Sequence, residues 1–158
     1  GAHYTFNQSI DFKKWENVFK KFYFQLKEKE RVIISCHNQK EVDEALELDS
    51  EAKIFYEKDD YSAYMRFYSK AKFGIMNRLH GAILMASFGK PSVVIANDSR
   101  SRMLEEVGIK HYFVNEVDCE VLNREYEFLK SGANSFSERF KAIKDKAFKD
   151  YMKELAAF

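Results

Sequence analysis

The residues best suited to chemistry lie in the segment 76–81, whose sequence is Met-Asn-Arg-Leu-His-Gly. A strand-like run precedes this segment and an apolar, helix-like run follows it. The first turn of a helix leaves backbone N–H groups free, and the helix dipole favours an anion there by about 0.3–1 kcal/mol. Arg78 would add a planar guanidinium suited to phosphate or carboxylate, and His80 an imidazole that donates to the anion or moves a proton. The segment therefore predicts an anion site, with Asn77 and Gly81 beside the charged pair. The alternative is a surface arginine and a structural histidine.

A second candidate loop is Asn97-Asp98-Ser99-Arg100, which follows the next strand-like run. Asp98 or Ser99 is most simply predicted as the N-cap of a helix, because short polar side chains accept the first free N–H groups. Arg100 either faces the same anion as the first segment or is solvated. We therefore expect this loop to line the site from a neighbouring strand.

A third candidate is His37, which follows the strand-like run 31–35. Its position after a strand makes it a possible ligand, and a structural role is the alternative. Cys36 beside it is predicted to pack rather than to act as a nucleophile, since no His–Asp pair is indicated for it.

Strand-like and helix-like segments alternate along the middle of the chain. The predicted strands are 31–35, 52–56, 72–76, 92–95 and 112–114. The predicted helices are 40–48, a segment capped by Asp59 and Asp60 that runs to about 70, 78–88, about 100–107, and 118–130. Gly89 and Pro91 end the helix 78–88, which is apolar almost all round and is expected to be central and buried.

This alternation predicts an α/β fold with a Rossmann-like, doubly wound parallel sheet. In such sheets ligands bind beyond the carboxyl ends of the strands. The loops 6–8, 36–39, 76–80 and 96–100 are therefore expected to form the site.

The two ends of the chain depart from this rhythm. Residues 12–26 have the apolar spacing of an amphipathic helix, and residues 4–6 are a possible extra strand. Residues 135–158 are predicted to form a C-terminal helix that packs on the domain or extends from it, through the stripe Phe136, Phe140, Ile143, Ala147, Tyr151 and Leu155. We predict one domain over residues 1–158, in which residues 1–3 have the composition of a cloning remnant.

Composition excludes several classes of protein. The chain has 158 residues, 46% of them hydrophobic and 32% charged, with a formal net charge of +1. This balance is not that of a disordered segment, a collagen-like fibre or a nucleic-acid binder that relies on bulk positive charge. The longest apolar run, 82–89, is too short to cross a bilayer, and no leader peptide is predicted.

Missing motifs exclude several mechanisms. The two cysteines have no metal-ligand spacing, and they indicate a reduced, cytoplasmic compartment. The sequence contains no Gly-x-Gly-x-x-Gly, Gly-Lys-Ser, Gly-x-Ser-x-Gly or His-Glu-x-x-His. An ordinary dinucleotide dehydrogenase, phosphate-loop ATPase, serine hydrolase or zinc protease is therefore not expected, and no metal site is predicted.

The run 71–91 resembles the C-terminal half of the polysaccharide pyruvyl transferase family. In that family a strand leads into Arg-Leu-His, then an apolar helix, then Gly-x-Pro and another strand. The matching residues here are Arg78-Leu79-His80 and Gly89-Lys90-Pro91. The likeness extends over about residues 10–114.

The resemblance implies a GT-B architecture, in which two Rossmann-like domains face each other across a cleft and the C-terminal domain binds most of the donor. This chain would be that second domain, and its partner the N-terminal domain of the same protein. The implied reaction moves the enolpyruvyl group of phosphoenolpyruvate onto two hydroxyls of a sugar or lipid-linked saccharide, forming a ketal in exopolysaccharide biosynthesis. His80 would be the catalytic residue and Arg78 a donor ligand, with no cofactor besides the donor substrate.

Two departures from the family pattern leave other functions open. Met76-Asn77 stands where many relatives have a small residue and an acid, and Asn97-Asp98-Ser99-Arg100 stands where Tyr-Asp-x-Lys is common. The alternatives are half of a nucleotide-sugar glycosyltransferase of the same architecture and a non-catalytic binding module. The expected location is the cytoplasm, either free or peripheral at the inner face of the membrane.

Overall fold

The computed structural model describes residues 10–131 and 133–156, without the side chains of Ser99 and residues 133–135. Its α-helices are α1 (Phe12–Lys27), α2 (Gln39–Leu48), α3 (Tyr61–Lys70), α4 (Leu79–Ser87), α5 (Cys119–Ser131) and α6 (Ala133–Ala156). Its strands are β1 (Ile34–Ser35), β2 (Ile54–Phe55), β3 (Gly74–Met76), β4 (Ser92–Ala96) and β5 (Lys110–Phe113). The predicted strand 4–6 and loop 6–8 lie outside the described residues.

All strand pairs in the described residues are parallel, as the alternation predicts. β4 is the centre of a three-stranded sheet of order β3-β4-β5, whereas β1 and β2 form a separate two-stranded ladder. The predicted single sheet is therefore divided in two. The first ladder is also short, since it joins only Ile34 to Ile54 and Ser35 to Phe55.

Helices cover both faces of β4, and all five of its residues are buried. Val94 and Ala96 pack on one face against residues of α4 and α6, including Ala82 and Phe136. Ile95 faces the other side, where α1 and α5 contribute the core. A central parallel strand buried on both faces is consistent with a Rossmann-like arrangement.

The predicted helix ends are largely confirmed. Asn38 accepts the Glu41 N–H at 2.9 Å at the start of α2, and Asp60 accepts the Ala63 N–H at 2.8 Å at the start of α3. Gly89 follows α4 with φ of +68°, and a Cβ there would lie 2.7 Å from Ser137 Oγ. Both the backbone angle and the crowding require glycine at this position.

Two helix predictions are corrected. The segment after β4 is a 3₁₀ helix over Ser99–Leu104 instead of an α-helix to residue 107. Leu104 is fully buried and its carbonyl accepts the Ile109 N–H at 2.9 Å, so the chain turns back toward β5 after six residues. In α4, Ala82 and Met85 are buried, but Ile83 is 42% exposed because only one side of the helix contacts the sheet and its neighbours.

The C-terminal helix α6 buries only the first part of its predicted apolar stripe. Phe136 and Phe140 are buried in the core, whereas Ala147, Tyr151 and Leu155 are exposed. The 24 residues of α6 make it about 36 Å long, and the five residues of β4 span only about 17 Å, so the second half of α6 has no strand to cover. Neither α6 nor any other helix within residues 10–131 and 133–156 is apolar over enough of its length to cross a membrane.

Asp49, at the end of α2, joins that helix to α1. Its carboxylate accepts hydrogen bonds from Tyr23 Oη at 2.7 Å, Lys27 Nζ at 2.6 Å and the Glu51 N–H at 3.0 Å. The bonds from Lys27 and Tyr23 lower the pKa of Asp49 to about 2. Burial, together with the bond to Asp49, raises the pKa of Tyr23 to about 12.

The Asp49 carboxylate gives a prediction for acid stability. Because its folded pKa of about 2 lies below the ordinary 3.8, its contribution is complete above pH 4 and is lost as the pH falls through 2. We expect Asp49→Asn to lower the free energy of unfolding at neutral pH. The decrease of that free energy between pH 4 and pH 2 should also be smaller in Asp49→Asn than in wild type. Urea unfolding followed by circular dichroism measures both. Asp43→Asn, on the exposed side of α2, is the control, and an equally steep fall in Asp49→Asn and wild type would contradict the prediction.

Candidate anion-binding site

The loops after β1 and β3 meet at the carboxylate of Glu41, in the first turn of α2. Glu41 Oε2 accepts the His37 backbone N–H at 2.8 Å, and Oε1 accepts Asn38 Nδ2 at 3.0 Å. Oε1 also accepts the guanidinium of Arg78, which follows β3. Two of the predicted ligands, His37 and Arg78, are thereby held at one place in the structure.

The imidazole of His37 lies against two tyrosines of α3. It stacks on the Tyr64 ring, with centroids 4.7 Å apart and planes at 12°. Its Nε2 is 3.5 Å from Tyr68 Oη, which is a long hydrogen bond, and that hydroxyl lies 3.2 Å from Ser35 Oγ. Partial burial and then the positive charge of Arg78 lower the pKa of His37, against the opposing effect of Glu41. The neutral imidazole is therefore favoured near neutral pH.

The roles of Tyr64, Tyr68 and Glu41 are not predicted from the sequence. Tyr64 and Tyr68 lie one turn apart on α3 and are buried, and Tyr64 Oη donates to the Cys36 carbonyl. The i, i+4 spacing of two aromatic residues with hydroxyls was the available signal, because a buried tyrosine hydroxyl needs a partner. The signal for Glu41 was its place three residues after the cap Asn38, as in a capping box.

The amino end of α4 brings backbone N–H groups to the same site. Arg78 occupies the N-cap position, and no side chain caps the first turn by a hydrogen bond. Gly81 in that turn is buried, and a Cβ there would lie 3.3 Å from Tyr68 Oη. The first turn of α4 and the Tyr68 hydroxyl are therefore neighbours, so helix N–H groups, a guanidinium and a hydroxyl lie close together.

Asn77 and His80 lie on either side of Arg78 and are both exposed, and the Arg78 side chain is 45% exposed. None of the three is turned into the core. In the described part of the chain the His80 imidazole has no hydrogen-bond partner. It is accessible to a ligand at the carboxyl edge of the sheet, and its catalytic role remains a prediction.

The loop after β4 is organised by Asp98. Its Oδ1 accepts the Arg100 N–H at 2.9 Å, which confirms the predicted capping role, and Ser99 is the first residue of the 3₁₀ helix. The Arg100 guanidinium donates to the same carboxylate, with Nη2 2.6 Å from Oδ2. These bonds, led by the guanidinium, lower the pKa of Asp98. Because β3 and β4 are adjacent and parallel, this loop opens on the same edge as Arg78.

Cys36 has the predicted packing role. It is 1% exposed, and burial raises the pKa of its thiol. Such a thiol is a poor nucleophile because it stays protonated. Within residues 10–131 and 133–156, no cluster of three or more His, Cys, Asp or Glu residues could hold a metal ion.

Comparison with known proteins assigns the chain to a family. The family model named Polysaccharide pyruvyl transferase matches residues 3–99, well over half of the sequence. The chain belongs to this family. The matched span contains β1 to β4 and the loops with His37, Arg78, His80 and Asp98, whereas β5, α5 and α6 lie beyond it. No curated protein and no solved structure matches the chain.

The bond between Glu41 and Arg78 gives a prediction for anion binding. Bonds from the His37 N–H and Arg78 lower the pKa of Glu41 despite the opposing effect of burial, so its negative charge offsets the guanidinium at neutral pH. Glu41→Gln keeps an acceptor oxygen but removes the charge, and we expect it to bind inorganic phosphate about 3- to 10-fold more tightly at low salt. Titration calorimetry measures the change. Glu44→Gln, an exposed change of the same charge on α2, should have no effect, and weaker binding by Glu41→Gln would show the prediction to be wrong.

His37 gives a second prediction. Since its folded pKa lies below the ordinary 6.5, stability should fall as the pH drops from 6.5 toward the folded value. Arg78→Ala removes a nearby positive charge and should raise the pKa of His37, whereas Arg66→Ala on the exposed side of α3 should not. Titration of the histidine ring protons by NMR measures the pKa in each variant. A pKa that is unchanged or lower in Arg78→Ala is the contrary result.

Proposed function

We propose that this chain is the donor-binding domain of a polysaccharide pyruvyl transferase, and that phosphoenolpyruvate binds at the carboxyl ends of β1, β3 and β4. Family membership supports the transfer of a pyruvyl group in polysaccharide biosynthesis. The observation that carries the donor site is the Glu41 bridge, which holds Arg78 at the uncapped amino end of α4 next to the His37 loop. In this proposal the domain is the C-terminal half of a GT-B architecture.

The donor's charges match the groups at the proposed site. Phosphoenolpyruvate carries a phosphate and a carboxylate, and a guanidinium fork with helix N–H groups binds such oxyanions well. We assign Arg78, Asn77, Gly81 and His37 to donor binding on the β1 and β3 side. Asp98, Ser99 and Arg100 line the β4 side, where Asp98 orients the Arg100 guanidinium.

Glu41 acts as a substitute anion when the donor is absent. It neutralises Arg78 and orders the His37 loop at the same time. A donor phosphate would compete with Glu41 for the guanidinium, and the carboxylate would keep its bond to the His37 backbone. The strength of donor binding would then depend on how easily Arg78 exchanges one anion for the other.

His80 is the proposed catalytic residue. Two bonds form from donor C2 to two sugar oxygens, and the bond from C2 to the phosphate oxygen breaks. The methylene carbon takes up a proton to become a methyl group, and inorganic phosphate leaves with the second hydroxyl proton. An exposed imidazole at the amino end of α4 is suited either to supply the proton to the methylene carbon or to stabilise the departing phosphate.

The acceptor in this proposal is a sugar or lipid-linked saccharide that enters between this domain and the N-terminal domain of the same protein. The product is a pyruvate ketal in a surface polysaccharide, made on the cytoplasmic side of the membrane. The reaction uses no cofactor besides the donor substrate.

Donor binding is tested by titration calorimetry of the 158-residue chain with phosphoenolpyruvate. We expect Arg78→Ala to weaken binding at least tenfold and His80→Ala about threefold, because each removes a donor to the oxyanion. Raising the salt from 20 to 150 mM should also weaken binding. Arg66→Ala, an exposed arginine on α3, is the matched control and should stay within twofold of wild type.

Three results would change this proposal. Equal binding by wild type, Arg78→Ala and His80→Ala removes the roles given to both residues. Displacement of phosphoenolpyruvate by a UDP- or GDP-sugar at lower concentration indicates a nucleotide-sugar glycosyltransferase. In the protein that includes the N-terminal domain, donor binding without release of phosphate in the presence of acceptors indicates a non-catalytic binding module.

A further inference from the structure

The second part of α6 extends away from the core. Ile143 is half-buried and packs against the core, whereas every residue from 144 to 156 is exposed. We call residues 144–156 the exposed half of α6, and at about 1.5 Å per residue it is about 20 Å long. Its four large apolar side chains are each at least 47% exposed: Phe148, Tyr151, Met152 and Leu155. Within the described residues nothing covers them.

Apolar and charged residues occupy opposite sides of this helix. Successive residues of an α-helix are rotated by about 100° around its axis. With this rotation, the six apolar residues of the segment 147–156 share one half of the circumference, and its four charged residues share the other half. The apolar half consists of Ala147, Phe148, Tyr151, Met152, Leu155 and Ala156. An exposed helix with one apolar side is typical of a helix that lies against another surface.

Positive charge is concentrated on the same helix. Residues 141–156 contain five lysines and three acidic residues, a net charge of +2, whereas the whole chain has a formal net charge of +1. The rest of the chain therefore has a net charge of −1. Lys144 and Lys141 lie on the apolar side of the helix, about one and two turns before Phe148. The surface that fits this side is therefore apolar and negatively charged.

A second copy of the chain does not fit this side of the helix. In a parallel pair, Lys141 and Lys144 of each copy would face the same lysines of the other copy. In an antiparallel pair, they would lie against apolar residues such as Leu155 and would lose water without gaining a carboxylate partner. The surface of an anionic membrane accommodates both parts. Its acyl chains accept apolar side chains, and its phosphates accept lysines, whose long stems reach the headgroups.

We propose that the exposed half of α6 attaches the protein to the surface of a membrane that contains anionic phospholipids. The helix lies in the plane of the interface, with its four large apolar side chains among the acyl chains and Lys141 and Lys144 at the phosphates. Tyr151 suits this position because its ring is apolar and its hydroxyl stays in the polar layer. The proposal is independent of the donor site, since α6 lies beyond the matched residues 3–99.

The proposal is tested by sedimentation of the 158-residue chain with lipid vesicles. One set of vesicles contains phosphatidylcholine with about 30% phosphatidylglycerol, and the other contains phosphatidylcholine alone. We expect the partition coefficient to be at least tenfold higher for the anionic vesicles at 20 mM salt, because the lysines are attracted to the lipid phosphates. Raising the salt to 500 mM should reduce this difference severalfold.

A double variant tests the apolar contribution. Tyr151→Ala combined with Leu155→Ala should reduce the partition coefficient for anionic vesicles at least tenfold, because it removes apolar surface from the membrane-facing side. The matched control combines Tyr61→Ala with Met65→Ala, which removes two exposed side chains at the same spacing from α3, and it should stay within twofold of wild type. All four side chains are exposed, so both variants should keep the fold, which circular dichroism checks.

A second double variant tests the charge contribution. Lys141→Gln combined with Lys144→Gln should reduce the partition coefficient severalfold for anionic vesicles and leave it unchanged for phosphatidylcholine vesicles. The matched control combines Lys13→Gln with Lys20→Gln, two exposed lysines of α1, and should have less than a twofold effect on either.

Five results would overturn the proposal. They are no sedimentation with anionic vesicles, equal binding to both kinds of vesicle, and wild-type binding by the Tyr151 and Leu155 double variant. The fourth is a dimer of the lipid-free chain, seen by analytical ultracentrifugation, that the same double variant abolishes, because the helix would then bind a second copy. The fifth is loss of vesicle binding in the protein that includes the N-terminal domain, because that domain would then cover the helix.

Discussion

The candidate site depends on the Glu41 carboxylate. It accepts the backbone N–H of the loop after β1 with one oxygen and the guanidinium of Arg78, after β3, with the other. These two loops belong to strands that lie in different hydrogen-bonded ladders. A charge-assisted bond therefore connects the two loops across the division of the sheet.

Arg78 also explains why such a carboxylate is needed. A cation at the amino end of a helix is unfavourable by the helix dipole, and Arg78 is the N-cap of α4. Glu41 supplies the negative charge that this end attracts, and it remains ionised because its bonds lower its pKa. The same arrangement is suited to an exchangeable oxyanion, which links the local electrostatics to the chemistry of the family.

The buried central strand leaves the edges of the sheet as the places where a ligand can bind. All five residues of β4 are buried and side chains fill both faces, so ligands have access only at the edges. The carboxyl edge carries exposed cations and uncapped N–H groups, which suit an anion.

The sequence alone was sufficient for most of the local structure and for the family. The caps Asp60 and Asp98, the helix end at Gly89 and the position of Arg78 at a strand-to-helix junction are all as predicted. Each of these features depends on backbone groups within a few residues, so a short stretch of sequence contains the whole signal. Arg-Leu-His with Gly-Lys-Pro at a set distance was likewise a local pattern, and the family match confirms it.

The tertiary structure determines which of these distant segments come into contact. Arg78 pairs with Glu41 from 37 residues away, and Tyr68 approaches His37 from 31 residues away. The division of the sheet and the exposed half of α6 likewise follow from how distant segments pack. Such contacts are set by the balance of burial and hydrogen bonding over the whole core, and no short window of residues contains that balance.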